Sequence, residues 1–445
     1  MGKLFGTDGV RGVANVELTP LLALQLGTAA AHVIVEQKNK GRILIGRDPR
    51  ISGDILESAM VAGVCSQGLD ALLVGVISTP GVAYLTAATG ASAGVVISAS
   101  HNPVQDNGIK FFGPDGYKLD DAVESEIENY TAAFDRLPRP KGGDVGRMFR
   151  KHEMAWEYAQ HLKTAATKKF DGLKVVIDCA NGAASELAPQ ILSEVGADIK
   201  TINSNPNGIN INVGCGSLHP DTLREKVKKL GADVGLAFDG DADRVIMVDE
   251  RGEIVDGDHV MAIYGLRHAR LGNLPGNAVV GTVMSNIGLE IALAKENVTL
   301  VRTPVGDRYV SDEMRRIGAI VGGEKSGHII LSKFASTGDG VVTALQVISI
   351  MLETGKKLSE LSSEMEEFPQ LLVNVRVKDR NGWDKKPEIV SAITEAEKLL
   401  SGKGRVLVRP SGTEKLIRVM AEGPDMGELE TLVGGIAESI QKLMG

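Results

Sequence analysis

"GRILIGRDPRISGDILESAMVAGVCSQGLDALLVGV", residues 41–76, contains two apolar stretches separated by a segment with helical periodicity. The stretches "RILIG" and "ALLVGV" have the length and composition of buried strands, and 54–68 places apolar residues on one helical face. A strand, a helix and a second strand in this order build a parallel or mixed sheet that is covered by helices. These residues therefore predict an α/β fold whose ligand loops follow the strands.

The same order of strand, helix and strand recurs at 173–203 and at 277–303. Three copies predict three similar α/β domains with mixed sheets. The last part of the chain changes to a strand, a helix, two strands and an amphipathic helix, which predicts a smaller α+β domain. A length of 445 residues also exceeds what one hydrophobic core usually supports. The expected domains span 1–150, 151–252, 253–368 and 369–445.

The composition is typical of an ordinary globular enzyme, with 43% hydrophobic and 24% charged residues. A formal net charge of -8 argues against a nucleic-acid partner, so any anionic ligand needs local positive charge. The longest apolar stretch, at 341–353, is too short to span a bilayer, and the beginning of the chain has no signal-like apolar segment. No membrane partner is expected.

Three cysteines lie at positions 65, 179 and 215, an odd number without the spacing of metal ligands. A disulfide framework is therefore not expected, and the reducing cytoplasm is the simplest compartment.

"LAFDGDADRVIMVDE", residues 236–250, places Asp239, Asp241 and Asp243 at alternate positions after an apolar strand. Clustered carboxylates repel one another unless they are neutralised, and hard cations such as Mg²⁺ bind several oxygen ligands. The pattern favours a divalent metal site over a solvated acidic turn. A helix-loop-helix calcium site is excluded because Arg244 stands where that motif needs glycine, and "VIMV" is typical of a strand.

Two further loops carry ligand-binding groups. "GEKSGH", residues 323–328, combines a carboxylate, a hydroxyl and an imidazole between glycines, which suits the hydroxyls of a sugar, although a plain turn fits equally well. "RPSGTE", residues 409–414, combines a guanidinium with two hydroxyls after a strand and predicts phosphate binding. Lys415 and Arg418 add positive charge there. An ordinary Pro-Ser-Gly turn is the alternative.

"SASHNP", residues 98–103, ends another buried strand with two serines, a histidine and an asparagine-proline turn. Taken alone, the stretch favours a capping or turn role. The serines beside His101, with Lys110 further on, also suit a nucleophile or phosphate carrier. A nucleophile, a metal cluster, a hydroxyl-binding loop and a phosphate-binding loop in one chain are the parts that phosphoryl transfer on a sugar requires.

The chain resembles the α-D-phosphohexomutase family along essentially its whole length. The motifs that carry the resemblance are "GTDGVRG" with "LTP", "SASHNPVQDNGIKFF", "NPNGININVGCGSLHP", "DGDADR", "TPVGDRYV", "GEKSGHI" with "TGDG", and "RPSGTE" with "IRVM". The family implies four domains around a central cleft, with a last domain similar to the TATA-binding-protein fold. Lys325 and Lys415 depart from the pattern, since the most similar branch often has an amide and a proline there.

The resemblance also implies a role for individual residues. Ser100 is expected to be the phosphoserine and, with Asp239, Asp241 and Asp243, to hold one Mg²⁺. The residues expected around the transferring phosphoryl group are Arg11, His101, Lys110 and Arg244. Those expected to bind the substrate are Thr303, Gly306, Asp307, Arg308, Glu324, Ser326, His328, Arg409, Ser411, Gly412, Thr413 and Arg418.

The branch that acts on glucosamine phosphate is the most similar one. The implied reaction interconverts glucosamine 6-phosphate and glucosamine 1-phosphate through a hexose 1,6-bisphosphate, which also serves as activator. The alternatives are a mutase for glucose or mannose phosphates, a metal-dependent phosphatase, and a non-catalytic sugar-phosphate-binding protein. The expected small-molecule partner is a sugar phosphate, and the expected assembly is a homodimer.

Overall fold

The computed structural model describes residues 4–6, 8–38, 41–411 and 414–445. The chain forms two compact units: the first contains 1–284 and 301–363, and the second contains 285–300 and 364–445. Within the described ranges, none of the helices combines the length and apolar character that crossing a membrane requires.

The first domain is a mixed sheet with helices on both faces. Its strands and helices are β1 (Val10–Val13), α1 (Pro20–Lys38), β2 (Arg42–Arg47), α2 (Gly53–Cys65), β3 (Asp70–Val76), α3 (Thr79–Ala88), β4 (Ala93–Ile97), β5 (Asp106–Phe112), α4 (Asp121–Ala132) and β6 (Met148–Arg150). The spatial order is β1-β5-β4-β2-β3-β6. β2 pairs in parallel with β3 and β4, whereas β5 pairs antiparallel with β4 and β1.

The position of each element in this sheet follows from its sequence. β4 is buried along its whole length because both faces of a central strand are covered, which explains its uninterrupted apolar run. α3 begins where Ser78 accepts a hydrogen bond from the N–H of Gly81 at 3.2 Å, and Pro80 lies in its first turn. The apolar faces of α1, α2 and α4 pack on the sheet in one continuous core.

The second domain repeats this architecture with fewer strands. It contains α5 (Ala155–Lys163), β7 (Lys174–Asp178), α6 (Ala184–Glu194), β8 (Asp198–Ile202), α7 (Asp221–Leu230), β9 (Val234–Phe238), β10 (Val245–Asp249) and β11 (Ile254–Val255). The strand order is β11-β10-β9-β7-β8. β9 lies parallel to β7 and forms an antiparallel pair with β10, so the turn between β9 and β10 lies at the carboxyl end of β9.

The third domain contains a mixed sheet of four strands, fewer than the six and five strands of the first two sheets. Its elements are α8 (Gly257–Arg270), β12 (Ala278–Thr282), α9 (Ile287–Ala294), β13 (Thr299–Thr303), α10 (Asp307–Ile317), β14 (Val321–Gly323), β15 (Ile329–Leu331), α11 (Gly340–Thr354) and α12 (Leu358–Ser362). The strand order is β13-β12-β14-β15, with β12 parallel to β14 and β14 antiparallel to β15.

The C-terminal domain is smaller and purely antiparallel. It consists of β16 (Gln370–Arg376), α13 (Pro387–Leu399), β17 (Arg405–Pro410), β18 (Leu416–Glu422) and α14 (Met426–Met444), with the strand order β16-β18-β17. Both helices contribute to one apolar core with the sheet. Three mixed α/β sheets followed by this α+β domain confirm the predicted fold class.

The first turn of α8 depends on Asp256, whose Oδ1 accepts hydrogen bonds from the N–H of His259 at 3.1 Å and from its Nδ1 at 2.7 Å. Lys325 Nζ lies 3.6 Å from the other oxygen, so one of the two lysines that depart from the family pattern forms an ion pair. Burial alone would raise the pKa of Asp256, but His259 and Lys325 hold this pKa below its ordinary value.

Replacing Asp256 by alanine is expected to destabilise the protein by about 1 kcal/mol, because the first turn of α8 loses its cap. The pKa of Asp256 is lower in the folded state. Its contribution is therefore complete above the unfolded pKa of about 3.9 and is lost as the pH falls through the folded value. Urea denaturation at several pH values measures both effects.

Asp256→Asn is the matched control, since asparagine caps a helix equally well but does not titrate. It should keep most of the stability and lose the acid dependence. An unchanged midpoint for Asp256→Ala would contradict the capping role.

Candidate active site

Ser100 lies in the loop that joins β4 to β5. Its backbone is left-handed, with φ of 51°, and its side chain is 1% exposed. The hydroxyl donates a hydrogen bond to Asp239 Oδ2 at 2.5 Å and lies 3.2 Å from His101 Nδ1. The hydroxyl of Ser98, in contrast, donates to Asp48 at 2.6 Å. Of the two serines in the loop, Ser100 is therefore the one that contacts the aspartate cluster.

The aspartate cluster occupies the turn between β9 and β10. Asp239, Asp241 and Asp243 are buried, and each offers an oxygen within 4.8 Å of the others. One oxygen of Asp241 accepts a hydrogen bond from Thr79 Oγ1 at 2.6 Å. Among the described residues, Oδ1 of Asp241 and Oδ1 of Asp243 are buried without a hydrogen-bond partner. Unpartnered carboxylate oxygens that converge in this way fit a divalent cation with oxygen ligands.

The electrostatics of the cluster support the same interpretation. Burial raises the pKa of Asp239 well above its ordinary value, and the neighbouring Asp243 and Asp241 raise it further. Burial opposes the charge of Asp243, yet the contact with His328 holds the pKa of this carboxyl below its ordinary range. The same contact raises the pKa of His328 against the effect of burial. The cluster thus carries mutual repulsion that a bound cation would relieve.

Cationic side chains surround the cluster. Lys110 is buried with its Nζ 3.6 Å from Asp241 Oδ2 and 3.5 Å from Asp8 Oδ1. Burial disfavours its charge, but Asp8 and Asp241 raise its pKa above the ordinary value. Lys110 is therefore a fixed positive charge. Arg11 forms an ion pair with the same Asp8, which brings a second cation to this side of the site.

Arg244 and His101 complete the immediate surroundings of Ser100. The backbone N–H of Arg244 donates to Asp239 Oδ1 at 3.2 Å, which fixes the turn that carries the guanidinium. Burial lowers the pKa of His101 to about 4, and the positive charges of Arg244 and Arg11 lower it in the same direction. The imidazole beside Ser100 is thus neutral near pH 7.

Loops of the third domain approach the same cluster. The N–H of Gly306 donates to Glu324 Oε1 at 3.0 Å, which joins the loop before α10 to the loop after β14. Asp307 forms an ion pair with Lys118 at 2.6 Å. His328 lies 3.5 Å from Asp243 and 3.8 Å from Asp307. Glu324, Asp307 and His328 are thereby connected with the aspartate cluster.

Three other predicted substrate residues have different surroundings. Arg308 forms ion pairs with Asp121 and Glu124 of α4. Thr303 donates its hydroxyl to a carbonyl of β12 at 3.2 Å. Ser326 has a buried Oγ without a hydrogen-bond partner among the described residues, which fits a hydroxyl that binds a ligand. A substrate role for these three residues, as for the other predicted substrate residues, is a prediction.

The C-terminal domain brings two arginines together. Arg409 on β17 and Arg418 on β18 are directly opposite one another, and burial together with the charge of Arg418 lowers the pKa of Arg409. Like charges at opposed positions are unfavourable unless an anion neutralises them, so the pair fits a phosphate. Ser411 follows at the end of β17 and is 2% exposed. Gly412 and Thr413 lie outside the described residues.

Three polar residues of the site were not selected from the sequence. Lys118 connects Asp8, at 3.1 Å, with Asp307, and Thr79 binds Asp241. Asp8 lies within the quoted motif at 6–12, so that motif contained a signal for it. Lys118 and Thr79 belong to no motif, and only the folded chain reveals their contacts.

The chain matches the models of all four domains of phosphoglucomutase/phosphomannomutase. The three alpha/beta/alpha domains I, II and III match 2–136, 156–252 and 256–368, and the C-terminal domain matches 372–439. The chain therefore belongs to the phosphoglucomutase/phosphomannomutase family, whose members are mutases and hence isomerases.

Two relatives match the chain over nearly its whole length. Phosphoglucosamine mutase of Desulforamulus reducens is 54% identical over 443 residues, which cover 99% of both chains. Phosphoglucosamine mutase of Brevibacillus brevis is 53% identical over 445 residues, again covering 99% of each chain.

Solved structures of more distant proteins share the fold. A phosphoglucomutase/phosphomannomutase family protein from Burkholderia thailandensis superposes with a TM-score of 0.83 at 21% identity, covering 99% of this chain and 97% of that one. N-acetylphosphoglucosamine mutase of Aspergillus fumigatus, in complex with GlcNAc-6P and magnesium, has a TM-score of 0.68 at 19% identity, covering 99% and 95%.

Proposed function

We propose that the protein interconverts glucosamine 6-phosphate and glucosamine 1-phosphate by way of a phosphoserine at Ser100 and a 1,6-bisphosphate intermediate. The observation that carries this proposal is the contact of the Ser100 hydroxyl, 2.5 Å from Asp239, with a cluster of three buried aspartates. The choice of an amino sugar rests on the two relatives named above. Both are phosphoglucosamine mutases, and each matches this chain over 99% of its length.

The reaction consists of two phosphoryl transfers. In the first, the bond between phosphorus and Ser100 Oγ breaks and a bond from that phosphorus to the free hydroxyl oxygen of the sugar phosphate forms. The sugar hydroxyl loses its proton, and Ser100 Oγ takes one up. In the second, the bond between the other phosphorus of the bisphosphate and its sugar oxygen breaks, and a bond from that phosphorus to Ser100 Oγ forms. The Ser100 hydroxyl loses its proton, and the freed sugar oxygen takes one up. Reaction through a single serine requires the bisphosphate to turn around between the two transfers.

Mg²⁺ is the cation that we assign to the aspartate cluster. Asp239, Asp241 and Asp243 would hold it together with the phosphate on Ser100, since two of these carboxylates have unpartnered oxygens. When bound, the ion would neutralise negative charge on the phosphoryl group that is transferred.

Cationic side chains also stabilise the negative charge of the phosphoryl group. Lys110 and Arg244 are permanently charged and lie against the cluster, so they stabilise negative charge on the phosphoryl oxygens. Arg11 contributes a further charge from the first domain. His101 Nδ1, 3.2 Å from Ser100 Oγ, is neutral and able to exchange a proton with that oxygen.

The substrate loops divide between the sugar and its distal phosphate. Glu324 and Ser326 accept and donate hydrogen bonds and suit the sugar hydroxyls. Arg409 and Arg418, as an opposed pair of guanidiniums, suit the phosphate that is not reacting. The other residues assigned to the substrate by family resemblance are Thr303, Gly306, Asp307, Arg308, His328, Ser411, Gly412 and Thr413.

A substrate panel tests the sugar preference. With Mg²⁺ and a hexose 1,6-bisphosphate present, kcat/KM for glucosamine 6-phosphate should exceed that for glucose and mannose 6-phosphates by about tenfold or more, because a site built for an amino group pairs less well with the hydroxyl that replaces it. Equal kcat/KM values for the three sugar phosphates would contradict the preference for glucosamine phosphate. The protein would then be a mutase of the same family without that preference.

The same samples distinguish a mutase from the other classes. A mutase takes up one phosphate after treatment with the bisphosphate, which intact-mass spectrometry detects, and converts sugar phosphate without releasing inorganic phosphate. Stoichiometric release of inorganic phosphate would identify a phosphatase. Ligand binding with neither phosphoserine nor turnover would identify a sugar-phosphate-binding protein.

We also propose a cytoplasmic location. The three cysteines, Cys65, Cys179 and Cys215, are free thiols rather than disulfides, as expected in a reducing compartment.

A further inference from the structure

A buried arginine outside the catalytic set binds the loop that carries Ser100. Arg50 follows β2, its side chain is 0% exposed, and a cation is buried this completely only when its donors are satisfied. Nη2 donates to the carbonyls of Ser100 at 3.0 Å and Asn102 at 2.8 Å. Nη1 donates to the carbonyls of Pro103 and Asp106. One guanidinium therefore holds three carbonyls of this loop and the carbonyl of the first residue of β5.

Arg50 also closes a ring of hydrogen bonds around the backbone of Ser100. The N–H of Ser100 donates to Ser98 Oγ at 3.0 Å, and the hydroxyl of Ser98 donates to Asp48 Oδ2 at 2.6 Å. Arg50 Nε donates to the same oxygen of Asp48 at 2.9 Å. Since Arg50 Nη2 returns to the carbonyl of Ser100, both the N–H and the C=O of Ser100 are bound within one network.

The second domain contacts the same carbonyl. Asn212 Nδ2 donates to the carbonyl of Ser100 at 2.8 Å and to that of Asn102 at 3.1 Å. A Cβ atom at Gly240 would lie 2.5 Å from the Ser100 carbonyl oxygen, so the backbone of the aspartate turn also closes on it. The orientation of this carbonyl is thus fixed from two domains.

These contacts matter because the backbone of Ser100 adopts a left-handed conformation, with φ of 51°. Residues other than glycine seldom adopt this conformation. They keep it only where contacts with the surrounding structure enforce it. In this conformation the Ser100 hydroxyl contacts Asp239 Oδ2 at 2.5 Å. With a relaxed backbone, the hydroxyl would leave the aspartate cluster.

We propose that Arg50 and Asn212 are positioning residues that clamp the Ser100 carbonyl and thereby hold Ser100 in its left-handed conformation with Oγ directed at Asp239. This inference deepens the proposed mutase function and rests on it for its kinetic consequences. Neither residue touches the reacting atoms, so their removal affects the transfer step rather than substrate binding.

Kinetics of two variants test the clamp. Arg50→Lys keeps the charge but loses the planar fork, and Asn212→Gly keeps the left-handed backbone of Asn212, whose φ is 59°, but removes the amide. Each should lower kcat by about tenfold to hundredfold, the cost of a misplaced nucleophile, with KM within about twofold of the wild type.

Arg47→Lys is the matched control. Arg47 belongs to β2 and pairs with Asp54 and Glu57 instead of the loop carbonyls. Its variant should retain the wild-type kcat. Unchanged kcat in both Arg50→Lys and Asn212→Gly, or a loss that disappears when rates are expressed per folded molecule, would overturn the clamp.

A thermal-denaturation cycle tests the backbone directly and does not depend on activity. Ser100→Gly should melt at a higher temperature than Ser100→Ala, since glycine adopts positive φ without strain. Combined with Arg50→Lys or with Asn212→Gly, this difference should shrink, because the released loop no longer enforces positive φ. An equal difference in all backgrounds would overturn the clamp even if the mutase assay failed, so the two failures are distinguishable.

Discussion

Ser100→Ala is expected to abolish mutase turnover, with kcat reduced by about 10⁴-fold or more, while the fold is retained. The hydroxyl is the atom to which the phosphoryl group would be bound, and the remaining groups of the site provide charge but no acceptor. Its contact with Asp239, across 139 residues of sequence, is lost without opening a large cavity. A coupled assay for glucosamine 1-phosphate measures the loss, and the thermal midpoint reports the fold.

Ser98→Ala is the matched control for this experiment. Ser98 is equally buried in the same loop, but its hydroxyl donates to Asp48 rather than to the aspartate cluster. This variant should still take up one phosphate from a hexose 1,6-bisphosphate, whereas Ser100→Ala should take up none. Because Ser98 Oγ also accepts a hydrogen bond from the N–H of Ser100, Ser98→Ala should take up the phosphate more slowly but to the same stoichiometry. Phosphate on the protein after loss of Ser100 would falsify the assignment of the phosphoserine.

Removal of divalent metal is expected to have the second-largest effect, a loss of about 10³-fold in turnover that added Mg²⁺ restores. Without the ion, three buried carboxylates face the phosphate on Ser100 with only the cations of the chain to offset them. Assays after dialysis against a chelator, followed by titration with Mg²⁺, measure both the loss and the recovery. Full activity in the chelated enzyme would contradict the assignment.

A binding measurement separates the metal site from its catalytic role. Because Mg²⁺ would bind the folded protein only, it should raise the thermal midpoint of the wild type, with a stabilisation of about 2.7 kcal/mol at a hundredfold excess over Kd. Asp241→Asn should weaken this shift, since one oxygen of Asp241 is unpartnered.

Asp178→Asn provides the control for the metal measurement. Asp178 is a buried carboxylate at the end of the neighbouring strand β7, and it binds the backbone N–H groups of Ala180 and Gly216 instead of the cluster. The Mg²⁺-induced shift should survive in this variant. A shift that is insensitive to Asp241 but lost with Asp178 would place the metal elsewhere.

Much of the fold was predictable because it is encoded in local patterns. The apolar strands at 41–76, 173–203 and 277–303 and the helices between them are found as expected. β5 was not predicted as a strand, because it begins with polar residues and includes Lys110, a buried cation that pairs with Asp241 across the domains. Its sequence does not have the alternation of a half-buried strand, since nearly every residue in it is buried.

The candidate site was only partly predictable for a related reason. Motifs identified Asp239 and its neighbours, but the residues alone left Ser98 and Ser100 equivalent. The distinction depends on the contact of Ser100 with Asp239 and of Ser98 with Asp48, which no local pattern encodes. Arg50 and Asn212 were not identified for the same reason, as each acts on backbone carbonyls distant in sequence.

The positive φ of residue 100 restricts which amino acid can carry the phosphate. Threonine offers the same hydroxyl chemistry, yet its branched Cβ is poorly tolerated in a left-handed conformation. Exchange of serine for threonine is therefore disfavoured at this position by backbone geometry rather than by reactivity.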